Sequence, residues 1–149
     1  MAAENRLIDT NVLVYAYDVS EKAKRQVARA LLDEVWDHGG GVVTLQNLSE
    51  FFVAVTGKVQ RPIGVSSARA IISDILRSGR WLVIDRQART IIMATDFVEN
   101  NKAPFWDALI AACMLEHGVR VIVTENERDF KRIPGIAVIN PFKVRGSRS

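Results

Sequence analysis

Three stretches of the chain are apolar and rich in β-branched residues, and each ends on a polar residue. They are Arg6-Leu7-Ile8 before Asp9, Trp81-Leu82-Val83-Ile84 before Asp85, and Arg120-Val121-Ile122-Val123 before Thr124. Apolar runs without polar alternation are what parallel strands covered on both faces require. Val42-Val43 and Ile136-Ala137-Val138-Ile139 are shorter candidates for the same sheet. Helical patterns lie between the strands. The first is predicted over residues 21–38, capped by Ser20, with Val27, Ala30, Leu31, Val35 and Trp36 on its apolar face and Lys22, Lys24, Arg25 and Arg29 largely opposite. Gly39-Gly40-Gly41 ends it, and no Gly-Lys-Ser/Thr follows to make the run a phosphate loop. Further helices are predicted over 45–58, 66–77 and 87–100, and one more opens near Pro104 and stops at His117-Gly118. Such alternation implies an α/β fold with a mainly parallel central sheet and helices on both faces.

Composition narrows the class. At 149 residues with 48% hydrophobic content the chain supports one substantial core, expected over residues 1–144. Arg145-Gly146-Ser147-Arg148-Ser149 has nothing to bury and is expected to be a flexible tail. A net charge of +3 is compatible with polyanionic partners without indicating them. The single cysteine, Cys113, lies in an apolar run and reads as a small buried hydrophobe, and no disulfide framework is possible within one chain. No stretch approaches the ~20 apolar residues that a membrane span needs. The expectation is a cytoplasmic protein with no membrane partner.

In an open parallel sheet the usable crevice lies beyond the carboxyl ends of the strands, so the position of each acid carries information. Asp9 follows the first strand directly, where it could equally cap a helix opening at Thr10-Asn11. Glu50, among Leu48, Phe51, Phe52 and Val53, either needs a cationic partner for a desolvated carboxylate or points to solvent along a narrow polar stripe. Asp107 falls in the first turn of a nearly apolar helix, where the helix dipole favours a negative charge. Thr124-Glu125-Asn126-Glu127-Arg128-Asp129-Phe130 follows a strand on the same rim as Asp9, and Phe130 could pin Asp129 in place. Four acidic stations converging on one crevice would repel one another unless they held a hard cation through oxygen, Mg²⁺ or Mn²⁺ by preference.

Taken in order, Leu7-Ile8-Asp9-Thr10-Asn11-Val12-Leu13, the Glu50 helix, Phe105-Trp106-Asp107-Ala108-Leu109-Ile110-Ala111-Ala112 and Val123-Thr124-Glu125-Asn126-Glu127-Arg128-Asp129-Phe130 resemble the signature blocks of PIN-domain ribonucleases, in the style of VapC toxins. The resemblance implies an α/β/α sandwich and a catalytic site of Asp9, Glu50, Asp107 and Asp129. In it Asp9, Asp107 and Asp129 would bind Mg²⁺ or Mn²⁺, with Asn11, Thr124 and Asn126 as polar supports. Some family members carry Asp where this chain has Asn126, so either Asn126 supplies a neutral oxygen or Asp129 alone supplies the charge; Asp129 is placed first. The resemblance further implies hydrolysis of RNA to 5′-phosphate and 3′-hydroxyl ends, homodimers, and inhibition by a VapB-like antitoxin. Arg86 and Arg128 are candidate substrate contacts, with Arg89, Lys131 and Arg132 near the same rim. Phe51, Phe52, Val53, Ile71, Ile72 and Ile75 could form either a groove for an antitoxin segment or ordinary core.

Two rival readings remain. A phosphatase with Asp9 as the attacked nucleophile would normally carry a second Asp two residues on, where this chain has Asn11. The other is a PIN-like module that binds RNA or protein without cleaving.

Overall fold

The apolar runs become five short strands: β1 (Arg6–Ile8), β2 (Gly41–Thr44), β3 (Trp81–Ile84), β4 (Val121–Val123) and β5 (Ala137–Ile139). They form one sheet in the order β3-β2-β1-β4-β5, every pairing parallel. The structure is a computed structural model and describes residues 4–143. The tail 145–149 therefore lies outside the described residues. Among the described residues seven α-helices flank the strands: α1 (Thr10–Tyr15), α2 (Lys22–His38), α3 (Leu45–Val53), α4 (Val65–Arg77), α5 (Ala88–Asn101), α6 (Phe105–Glu116) and α7 (Glu127–Phe130).

The period of two along a strand sorts the core into two layers. Leu7, Val42 and Ile122 are buried in the cluster that holds Ala94 of α5 and the inner residues of α6. Their neighbours Ile8, Val43 and Val123 point the other way, into the cluster with Val12, Leu32, Phe51 and Ala68 of α1 to α4. Complete burial of a side chain such as Phe51 or Phe130 is worth roughly 1.5–3 kcal/mol. The expected α/β/α sandwich is therefore present, with helices on both faces of a parallel sheet.

Helix α6 has all of Ala108 through Met114 buried, as an almost continuously apolar helix should. Its alanines leave room for the helix backbone to lie close against α5. Cys113 is buried there, and burial pushes its thiol up to about 11, so it packs as a hydrophobe. Gly41 is required by packing rather than by a phosphate: a Cβ there would come within 2.6 Å of Val35 and 2.8 Å of Trp81. Gly39, with φ of 79°, stops α2, and its N–H reaches Val35 O at 2.7 Å.

Some local expectations are overturned. Ser20 does not cap α2; its hydroxyl donates to Asp18 Oδ1 at 2.5 Å, and the helix opens at Lys22 after Glu21, which makes no side-chain cap. The apolar face of α2 holds in part: Val35 is buried with Ala28 and Leu32, and Leu31 and Trp36 pack against the core, whereas Val27 and Ala30 are exposed at the edge of the stripe. The helix predicted over 45–58 remains α-helical only to Val53 and then widens into a π-helical turn over Ala54–Lys58. Helix α7, four residues long, falls in the segment after β4 for which no helix is predicted.

Candidate active site

The connection from β1 leads to β2 on one side of the sheet, whereas β4 leads to β5 on the other. The carboxyl ends of β1 and β4 thus flank the switch point, where the departing chains leave a crevice. Asp9 and Thr124, the residues just after those strands, stand side by side there. Thr124 Oγ1 donates to Asp9 Oδ2 at 2.8 Å.

Asp9 is 6% exposed and accepts four hydrogen bonds. Besides Thr124 these come from the Thr10 N–H at 2.8 Å, Asn11 Nδ2 at 3.3 Å and Asn47 Nδ2 at 3.3 Å. Capping and site-building coincide, since the Thr10 contact makes Asp9 the N-cap of α1. Burial pushes the Asp9 carboxyl above its ordinary value of 3.8, and the nearby Glu50 charge adds to that; the Thr124, Thr10 and Asn47 donors pull against it.

Asn47 carries an organising role that sequence reading missed. It is fully buried. Its Oδ1 accepts the Thr44 N–H at 3.0 Å while its own N–H reaches Thr44 Oγ1 at 2.9 Å, the capping box that starts α3. Its Nδ2 meets Asp9 and, at 3.0 Å, Thr10 Oγ1. Thr10 Oγ1 in turn donates to Glu50 Oε1 at 2.9 Å. The only sequence hint was the Thr44-x-x-Asn47 spacing of a cap.

Glu50 takes the solvent-facing alternative: it is exposed on α3, held by Thr10 and by Gln46 Nε2 at 3.3 Å. Asp107, one turn into α6, is half-buried and receives Asn126 Nδ2 at 3.1 Å. Desolvation raises its carboxyl to about 6, reinforced by the charges of Asp9, Asp129 and Glu50 and opposed by the Asn126 bond. Asn11 and Asn126 also brace the loop after β4: Asn11 Oδ1 accepts the Glu125 N–H at 3.1 Å, and the Asn126 N–H reaches Thr124 Oγ1 at 3.0 Å.

Asp9, Glu50, Asp107 and Asn126 line one cleft of about 610 Å³. Asp129 does not line it. It lies on α7, its Oδ1 3.6 Å from Arg128 Nε, and reaches the site through its charge on Asp107. Neither Arg86 nor Arg128 lines the cleft; Arg86 edges a smaller hollow that shares Ile110 with it. Arg89 pairs with Glu116 at 3.1 Å, Lys131 with Glu127 at 3.2 Å, and Arg132 donates to Lys102 O at 3.0 Å, so these three are engaged within the protein. Among the described residues the cation on the cleft lining is Lys58, from the π-helical turn. Phe51 and Ile75 belong to the core, whereas Phe52, Val53 and Ile72 line an apolar hollow between α3 and α4.

The carboxyls offer the cleft oxygen ligands, and their charges add to the desolvation that shifts Asp107. That chemistry fits a hard divalent cation. Among the described residues no three of His, Cys, Asp and Glu stand together as a ready-made cage. A cation here would take one or two carboxylates, Asp9 and Asp107 foremost, and complete its shell with water and substrate oxygens, the habit of Mg²⁺.

The sequence model of the PIN domain family matches residues 6–136. No curated protein matches the chain. Solved structures share its fold. A toxin–antitoxin complex from Klebsiella pneumoniae aligns with a TM-score of 0.68 at 23% identity, over 94% of this chain and 100% of the other. FitAcB from Neisseria gonorrhoeae gives 0.62 at 19%, over 93% and 99%. VapC20 from Mycobacterium tuberculosis, a sarcin–ricin loop cleaving toxin, gives 0.64 at 16%, over 85% and 93%.

Proposed function

The chain belongs to the PIN-domain family, and from that membership we propose that it is a Mg²⁺- or Mn²⁺-dependent endoribonuclease, the toxin of a toxin–antitoxin pair. The observation that carries this reading is the crowding of Asp9, Glu50 and Asp107 on one cleft at the switch point, where burial first and the charges of its acidic neighbours second raise Asp107 to about 6. The toxin–antitoxin complex and the loop-cleaving toxin among the solved structures support the assignment to that class, with a VapB-like antitoxin as partner. A homodimer is part of the same reading.

When bound, the cation supplies Lewis acidity to the scissile phosphate and lowers the pKa of an attacking water. The chain's own residues then have separate tasks. Asp9, clamped by four donors, is the fixed ligand, because its carboxylate cannot rotate without breaking bonds to α3 and to the loop after β4. Asp107 is the second ligand, and Asn126 aims it. Glu50, free to solvent and steadied by Thr10, orients the attacking water and takes its proton. Attack by water needs no ribose 2′-hydroxyl, so the products carry 5′-phosphate and 3′-hydroxyl ends. Asp129 acts from behind Asp107 as a charge.

The test is cleavage of a mixed single-stranded RNA by purified protein with Mg²⁺, Mn²⁺ or EDTA, beside folded Asp9→Asn and Asp107→Asn variants. Cleavage that requires metal and both carboxylates is the expected result. Cleavage indifferent to EDTA and to both substitutions overturns the site, and metal-independent RNA binding without cleavage replaces the enzyme with a binding module.

A further inference from the structure

The acid cleft is a poor place for the rest of a substrate strand. Asp9, Asp18, Glu21, Glu50 and Asp107 face it, against Lys58. One bound divalent cation leaves that lining negative, so phosphates on either side of the scissile one need basic ground nearby. Such ground adjoins the cleft. The segment Asp18–Lys22 separates two hollows: Asp18, Ser20 and Glu21 line the acid cleft, while Val19 and Lys22 line a second hollow of about 450 Å³. The second hollow continues along α2 with Arg25, Gln26 and Arg29, and Asp33 is the one acid on its lining.

The three cations differ in what they already do. Arg29 Nε donates to Ala16 O at 2.6 Å, and its guanidinium stacks over Tyr17 at 5.0 Å, so it is a fixed wall. Lys22 is exposed and makes no ion pair among the described residues. Arg25 is half-buried, and its Nε is buried without a hydrogen-bond partner among the described residues. An unpaired buried donor on a cation is costly unless a ligand or water satisfies it. Sequence periodicity places Arg25 and Arg29 opposite the apolar face; Arg29 is exposed as expected while its Nε reaches the end of α1, whereas Arg25 is half-buried.

We infer that the hollow lined by Lys22, Arg25 and Arg29 is a phosphate-binding track for single-stranded RNA, which holds the backbone on one side of the scissile bond. The assignment rests on the nuclease reading of the neighbouring cleft. Arg25 is the central contact, through a guanidinium fork suited to phosphate oxygens, and Lys22 is the outer one. Gln26 adds an uncharged donor.

The experiment is fluorescence anisotropy of a labelled single-stranded RNA in EDTA, over a range of salt concentrations, for wild type, Lys22→Gln, Arg25→Gln and the double variant, with Arg77→Gln on α4, which lines neither hollow, as the control. Each substitution is expected to weaken binding about tenfold and to lower the slope of log K against log salt by about one; Arg77→Gln changes neither. In cleavage assays with Mn²⁺ the track variants raise KM and leave kcat and calorimetric Mn²⁺ affinity unchanged, a split that a folding defect does not produce. Wild-type binding with unchanged affinity and slope in both variants overturns the track while leaving the nuclease intact. A wild type that neither binds nor cleaves RNA overturns the nuclease reading, and the track with it. Displacement of RNA by oligoglutamate of equal charge through the same two residues reassigns the hollow to an acidic peptide.

Discussion

Asp9 and Asp107 line the same cleft and are built in opposite ways. Asp9 emerges from a central strand, is almost wholly buried, and is gripped by donors from three separate segments: the first turn of α1, α3 and the loop after β4. Asp107 emerges from the start of a helix, is half-exposed, and is held by Asn126 alone. The first position is specified by geometry whatever its charge, while the second depends on its charge state and therefore on pH and on a neighbouring cation. A fixed acid facing a responsive one suits a site that must exchange water, metal and substrate.

Substitution should expose the contrast most sharply. Asp9→Asn is expected to lower cleavage by about 10³-fold or more, because the remaining groups act as a unit with it. Asp107→Asn should cost a comparable factor at saturating Mn²⁺, yet it should raise the melting temperature of the metal-free protein by removing a carboxylate that its neighbours repel. Thermal melts in EDTA beside single-turnover cleavage check both; a lower melting temperature for Asp107→Asn would show that its charge is not the strained one.

Cutting the scaffold beneath Asp9 should have the next largest effect. Asn47→Ala removes a buried amide that serves the α3 cap, Asp9 and Thr10 at once. The expected costs are roughly 10–100-fold in activity, as for groups that orient metal ligands, and about 1–3 kcal/mol in urea unfolding from the unpaired buried Thr44 N–H. Retained activity with lost stability would reduce Asn47 to a cap.

The dependence on pH isolates the responsive end. The Asp107 carboxyl rises from 3.8 to about 6 on folding, so the folded chain holds its proton more tightly than the unfolded one. Its contribution to stability is fully present below about pH 4 and lost as pH rises through about 6. The difference in unfolding free energy between wild type and Asp107→Asn in EDTA should therefore shift against the wild type across that window, and Mn²⁺ should remove the shift. A flat difference would place Asp107 in an ordinary environment. The smallest effect belongs to Asp129→Asn, which leaves the cleft lining unchanged: the Asp107 titration, followed by carboxyl NMR, should move slightly downward, and cleavage should change only a few-fold. A loss as large as that of Asp107→Asn would move Asp129 into the site itself.

Much of this was legible along the chain. Strands buried on both faces leave continuous apolar runs, so β1, β3 and β4 could be read within a residue of their ends, and α6 declared itself by having almost no polar face. The polar residue that follows each run marked the rim, which is how Asp9 and Thr124 were placed. Less legible was anything that depends on rotation or reach. The buried stripe of α2 is set by the layer it meets, so periodicity alone places Val27 and Ala30 inward, where both are exposed, and Arg25 outward, where it is half-buried. Asn47 goes unread in the sequence, because its tie to Asp9 joins residues 38 positions apart.

The amino-acid sequence by itself determined the strand–helix alternation, the two-layered core and the acids at strand and helix ends, since these follow from local periodicity and capping chemistry. Only the tertiary structure decided which acids share a cleft. It put Asn126 on the lining and Asp129 behind it, left Arg86 and Arg128 off it, and gathered Lys22, Arg25 and Arg29 beside it. The physical reason is that electrostatic and hydrogen-bonding partners are chosen by distance in space, and the order of strands β3-β2-β1-β4-β5 brings Asp9 and Thr124, 115 residues apart, to 2.8 Å.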